Sequence, residues 1–159
     1  MIVYHGAILE IRKPDIRYSK RFLDFGRGFY VTSFPEQAER WALRKAMRLR
    51  KTPMVNVYDM GDLSGYRVKR FQGADGEWLR FVCECRRGKE IYTNFDAVVG
   101  CVADDDVFKC VGMYMDGIWD EARTLEEMRF YRKNDQIALL NQSIIDNVLK
   151  FKKSYEPMQ

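Results

Sequence analysis

No run in this chain approaches the ~20 consecutive apolar residues that span a bilayer, and the opening MIVYHGAILEIRK lacks a basic leader followed by a long apolar stretch. These absences predict a soluble, cytoplasmic protein with no membrane partner. Cysteine is sparse: Cys83, Cys85, Cys101 and Cys110 contain no CxxC, and His5 is the single histidine available to complete a mixed zinc set. Cys83 and Cys85 in LRFVCECRR read as alternate positions of one strand, so reduced core thiols are expected and no metal. Internal repeats and linkers rich in Gly, Ser or Pro are missing too, which predicts one domain over residues 1–159. Charge of one sign does not dominate. A net +4 is too small to imply nucleic acid, although RWALRKAMRLRK, residues 40–51, carries six basic residues and no acid. That stretch reads as a solvated helix face, with an anionic partner as the alternative.

What is present is globular: hydrophobic residues make up 47% of the chain, enough to exclude a disordered reading. MIVYHGAILEI predicts an N-terminal strand ending near His5. Gly26 and Gly28 form a glycine loop feeding a Phe29-Tyr30-Val31-Thr32 strand. Ser33 and Glu36 have the spacing of a capping box, with Ala38, Trp41, Ala42 and Ala46 on one face of a helix from Pro35 to Arg50. Strands are expected at 54–60, 77–86 and 95–103, and helices from Val107 to Met115 and from Thr124 onward. Asp135 to Leu140 reads as a strand, and Gln142 to Phe151 as a helix or a helix-to-strand passage. Helices segregated from the strands, without βαβ alternation, point to an α+β fold with antiparallel or mixed pairing.

The chemistry starts at Tyr4-His5-Gly6, where a histidine near a strand end precedes a glycine that lets a ligand approach the backbone. By itself this is equally a hydrogen-bonded core histidine. Gly26-Arg27-Gly28 departs from the dinucleotide fingerprint, because it lacks the third glycine and feeds a strand, which argues against a Rossmann reading.

Taken in order, YHG and DFGRGFYVTSFPEQAERWA resemble the first two motifs of the ADP-ribosyltransferase superfamily, in the branch of diphtheria toxin and the poly(ADP-ribose) polymerases. The chain is also similar, over nearly its whole length, to a bacterial family of uncharacterised domains known as DUF3990, in both motifs, in GCVADDDVF and in the terminal DQI segment. The resemblance implies a split antiparallel or mixed β core with flanking helices, and NAD as substrate. It implies that His5 hydrogen-bonds the ribose next to adenine, that the Gly6 backbone holds the nicotinamide carboxamide, and that Tyr30 stacks on the nicotinamide ring. Trp41 would be a second wall, although a Trp on an amphipathic helix is usually core. Arg21 and Arg27, flanking Gly26 and Gly28, would reach the pyrophosphate, unless they are simply solvated.

The third motif, a glutamate that stabilises the charge growing as nicotinamide leaves, has no glutamate counterpart here. NDQIALL offers Gln136 or Asp135, and adjacent strand residues face opposite ways. Gln136 is the expected site residue, because Ile137 and Leu139 would then pack on the other face. The carboxylates of Asp104, Asp105 and Asp106 are alternatives, or else they cap the helix at Val107. The resemblance implies either an enzyme that ADP-ribosylates a macromolecular target, a protein or a nucleic acid, as the toxin of a toxin–antitoxin pair with an antitoxin partner, or a module that binds NAD or ADP-ribose without turnover.

Overall fold

The computed structural model describes residues 1–20, 22–102, 105–129 and 134–158, without the Asp105 side chain. The chain is α+β, as its pattern predicts. Its strands are β1 (Ile2–Ala7), β2 (Phe29–Val31), β3 (Met54–Met60), β4 (Val68–Arg70), β5 (Ala97–Gly100), β6 (Gln136–Leu139) and β7 (Leu149–Tyr155). The helices are α1 (Pro35–Leu49), α2 (Gly76–Arg86), α3 (Asp105–Met115), α4 (Glu121–Met128) and α5 (Gln142–Val148). The strands form two sheets, β1-β3-β7 and β2-β6-β5-β4, antiparallel throughout except for the parallel β4–β5 pair.

Strand alternation decides what each sheet buries. In β6, Ile137 and Leu139 face one core with Val3, Phe29, Val31, Tyr58 and Ile144. Ala138 faces a second core built on Phe25, Trp78, Leu79, Val82 and Val98, mostly from α2. The sheet β2-β6-β5-β4 is thus covered on both sides. α1 lies across β1 and β3 through the small residues Ala38 and Ala42, which are fully buried with Val55.

Four local expectations change. Residues 77–86 form the helix α2, not a strand: the Asp75 side chain accepts from the Trp78 N–H at 2.9 Å and caps it. Trp78, Leu79, Val82 and Cys85 then fill one face, while Glu77 and Arg80 stay in solvent, a helical rather than a two-residue period. Cys83 and Cys85 are therefore not alternate strand positions. Second, Ser33 does not cap α1; Phe34 occupies the cap with no side-chain bond, and Ser33 is drawn off to Asp135. Third, α4 starts at Glu121 behind Asp120, whose side chain accepts from Arg123 N, and Thr124 is buried inside it. Fourth, β1 continues to Ala7, so His5 lies within the strand, opposite Asn56 of β3. The passage after Gln142 resolves into α5 running directly into β7.

Candidate functional site

Among the described residues the two sheets meet at one bridge, Tyr4 to Thr32, where each N–H donates to the other's carbonyl at 2.8 and 3.0 Å. Antiparallel alternation then fixes the next step: Gly6, two residues beyond Tyr4, turns its N–H and C=O to the same edge, toward β2 and away from β3. Continued pairing would set Gly6 opposite Tyr30. Instead the strands part, and the His5 ring enters the gap, with Nδ1 2.6 Å from the Tyr30 carbonyl oxygen. Because that oxygen can only accept, Nδ1 carries the proton and Nε2 is left as an acceptor.

The ring is stacked on Phe29 at 4.3 Å between centroids. Burial lowers the His5 pKa from 6.5 to about 4, the bond to Tyr30 opposing this and the nearby Lys45 charge adding to it. His5 is therefore a neutral imidazole at physiological pH, suited to accept a hydroxyl proton in a hydrogen bond and unsuited to carry charge.

Gly6 has a structural reason to lack a side chain. A Cβ there would run into the backbone of α1, with Ala42 N at 2.8 Å, and Trp41 Cβ would stand at 3.0 Å. The glycine therefore seats α1 against β1, with the half-buried Trp41 packed on the α1-facing side of Gly6. A Trp on an amphipathic helix reads from sequence as core; here Trp41 is half-buried, its Cβ packed against Gly6 where α1 meets β1.

Tyr30 is half-buried, and its hydroxyl is committed: it accepts from Phe25 N at 3.0 Å and donates to Gly26 O at 2.5 Å. Burial, followed by the Asp24 charge, holds its pKa well above the usual phenol value. The hydroxyl thus ties the glycine loop to β2, leaving the ring as its remaining recognition surface. Gly26 takes φ +83°, and Gly28 N donates to Ser19 Oγ at 2.9 Å while its missing side chain admits Leu139 O. Asp24 is anchored from the far side by Arg86 at 2.7 Å, with both side chains largely out of solvent. Arg27 is exposed between the glycines. Arg21 and Asp104 lie outside the described residues.

The β6 candidates separate as alternation requires. Gln136 is buried, on the face of Ala138 and therefore of Tyr30, and among the described residues its Nε2 donates to Cys101 O at 3.5 Å. Asp135 is taken up by the start of α1: it accepts from Thr32 Oγ1 at 2.6 Å, Ser33 N at 2.9 Å and Ser33 Oγ at 2.5 Å. Gln37 Nε2 adds a bond to its carbonyl at 2.7 Å. Asp106 is exposed on α3, 3.8 Å from Lys109. A cavity of about 510 Å³ lies between β5 and helices α3 and α4, lined by Phe71, Val99, Cys101, Val107, Leu125 and Met128. Gln72, Arg129, Asn134 and Asp135 add polar groups to its wall, and neither His5 nor Gly6 lines it.

Sequence reading did not anticipate Lys20 and Lys45. Lys45 follows Trp41 by one helical turn on the same side of α1. Burial, then the charges of Lys20 and Arg48, lower its pKa. The lack of acids in 40–51 was the available signal. Among the described residues no group of three His, Cys, Asp or Glu side chains can hold a metal ion, and no helix is long and apolar enough to cross a membrane.

The family model described as "Protein of unknown function (DUF3990)" matches residues 1–151. No curated protein and no solved structure matches the chain.

Proposed function

The chain belongs to the DUF3990 family, and we propose that it is an NAD-dependent ADP-ribosyltransferase that modifies a macromolecular target, acting as the toxin of a toxin–antitoxin pair. The observation that carries this reading is the parting of β1 and β2 around His5. It leaves the Gly6 peptide edge unpaired with β2, with Trp41 packed on the α1-facing side of Gly6, while the His5 ring holds the Tyr30 carbonyl.

Each part suits one portion of NAD as substrate. An amide needs one donor and one acceptor on a common edge, and the Gly6 N–H and C=O supply both without side-chain motion. Tyr30 and Trp41 offer aromatic faces for the nicotinamide ring, which exclude water from the bond that breaks. The neutral Nε2 of His5 accepts from a ribose hydroxyl, and its tautomer is already set by Tyr30. In the reaction, the bond from ribose C1′ to the nicotinamide nitrogen breaks and nicotinamide leaves with the electron pair. An acceptor nucleophile then bonds to C1′ and loses its proton. Gln136, sharing the Tyr30 face, would hold a ribose hydroxyl.

Gln136 also supports a second reading. A buried neutral amide brings no charge to a cationic transition state, and losing such stabilisation costs a factor of ~10²–10³ in rate. On that reading the fold binds NAD or ADP-ribose without turnover. Nicotinamide release decides between the two. The enzyme reading predicts release by the wild type that rises in Gln136→Glu and falls in Gln136→Ala. The binding reading predicts a bound ligand with release absent from the wild type.

A further inference from the structure

We propose that α1 docks a nucleic acid, whose strand runs along Arg40, Arg44, Lys45 and Arg48 and so delivers an acceptor to the His5 gap. The inference rests on the reading of that gap as the transfer site and names its macromolecular substrate.

The charge of the chain is unevenly placed. Without the six basic residues of 40–51, the remaining sequence holds 21 Lys and Arg against 23 Asp and Glu, so the net positive charge belongs to this one segment. Arg40, Arg44 and Arg48 fall at successive turns of α1, forming one exposed row, and Lys45 lies beside it toward the gap. The row is continuous with the site, because Trp41, one turn before Lys45, abuts Gly6.

Several cations elsewhere on the surface are matched by carboxylates, among them Arg12 with Glu10, Arg17 with Asp15, Arg67 with Asp96, Arg80 with Glu121 and Arg123 with Glu127. The ion pairs among the described residues include none to Arg40, Lys45 or Arg48. The helix dipole favours a cation in the last turn and so accounts for Arg48, but it does not reach Arg40. Glu39 on the same helix is turned to β7, where the Tyr155 hydroxyl donates to it at 2.9 Å.

The form of the row selects the partner. Acidic or phosphorylated peptides are recognised by arginines clustered around a local motif. A convex helix edge with evenly stepped cations suits a polymer whose charge repeats uniformly, which is a phosphodiester backbone.

The test is fluorescence anisotropy with labelled 20-nucleotide single strands of DNA and RNA and the matching duplex, with polyglutamate as the competing polyanion. At low salt the wild-type chain should bind at least one of these nucleic acids. Affinity should fall with salt at a log–log slope of about −3 on single strands and about −3.5 on the duplex, as four phosphate contacts require. Arg40→Glu/Arg48→Glu should weaken binding at least 10-fold and reduce the slope by about two. Arg40→Gln/Arg48→Gln serves if the charge reversal lowers the melting temperature. In every variant, NAD-induced stabilisation is read in parallel. Absence of nucleic-acid binding in a folded chain that NAD still stabilises overturns this inference alone. So does binding unaffected by the charge changes, and equal competition by polyglutamate would assign the row to an acidic protein instead. A chain that NAD does not stabilise fails at the earlier reading, whatever it does with nucleic acid.

Discussion

His5 holds a titration inside the fold that can be isolated. Its folded pKa, about 4, lies below its ordinary 6.5, so the folded chain binds fewer protons than the unfolded one between these values. The contribution is present in full above pH ~6.5, declines as the pH falls toward 4, and amounts to about 3 kcal/mol. In His5→Asn, an amide N–H can replace Nδ1 as donor to Tyr30 without titrating. Melting temperatures across this pH range should therefore fall more steeply for the wild type than for the variant; parallel curves would mean that the imidazole is not held neutral. Asp135 and Gln136, though adjacent, forecast different losses. Asp135→Asn weakens the charge-assisted bonds to Thr32 and Ser33 and should cost about 1–3 kcal/mol in denaturant unfolding. Gln136→Glu puts a carboxylate beside the Cys101 carbonyl and should also destabilise, yet raise nicotinamide release at a temperature where both proteins are folded. If Asp135→Asn abolishes release while remaining folded and Gln136→Ala leaves it intact, the two roles are reversed.

Elements show where sequence is legible and where it is not. α1 was readable because Ala38, Trp41, Ala42 and Ala46 keep one helical face, and β6 because Ile137 and Leu139 alternate with Gln136 and Ala138. α2 was misread because Trp, Phe, Val and Cys favour strands locally, a bias that burial of the Trp78, Leu79, Val82 and Cys85 face overrides. The Asp75 cap was the local cue, and Asp75→Ala should cost about 1 kcal/mol in urea unfolding. Ser33 matched a capping box by spacing, but Asp135, about a hundred residues away, took its hydroxyl. Gly6 shows the same limit: its sequence context suggested room for a ligand, whereas its nearest constraint is the backbone of α1. Gly6→Ala should therefore lift α1 from β1 and cost about 3 kcal/mol or more, since the contact is with main chain that cannot rotate away. Unchanged stability in that variant would refute the packing.

At the scale of the whole molecule, the decisive feature is that two sheets share one bridge among the described residues and part beyond it. The motifs at His5, Gly6 and Tyr30 were visible in the sequence, but their meeting was not, because it depends on pairings between segments some 25 residues apart and on α1 closing over β1. Lys45 was hidden for the same reason, since only the fold brings this helix lysine within the electrostatic reach of His5 and of Lys20. The account stands or falls on whether that gap holds NAD. Calorimetric titration of NAD into the folded chain tests it most directly. Saturable one-site binding is predicted for the wild type, weakened at least 10-fold in Trp41→Ala and in His5→Asn, with both variants shown to melt cooperatively. No binding at millimolar NAD by a folded wild-type chain, or equal binding by all three proteins, would contradict it.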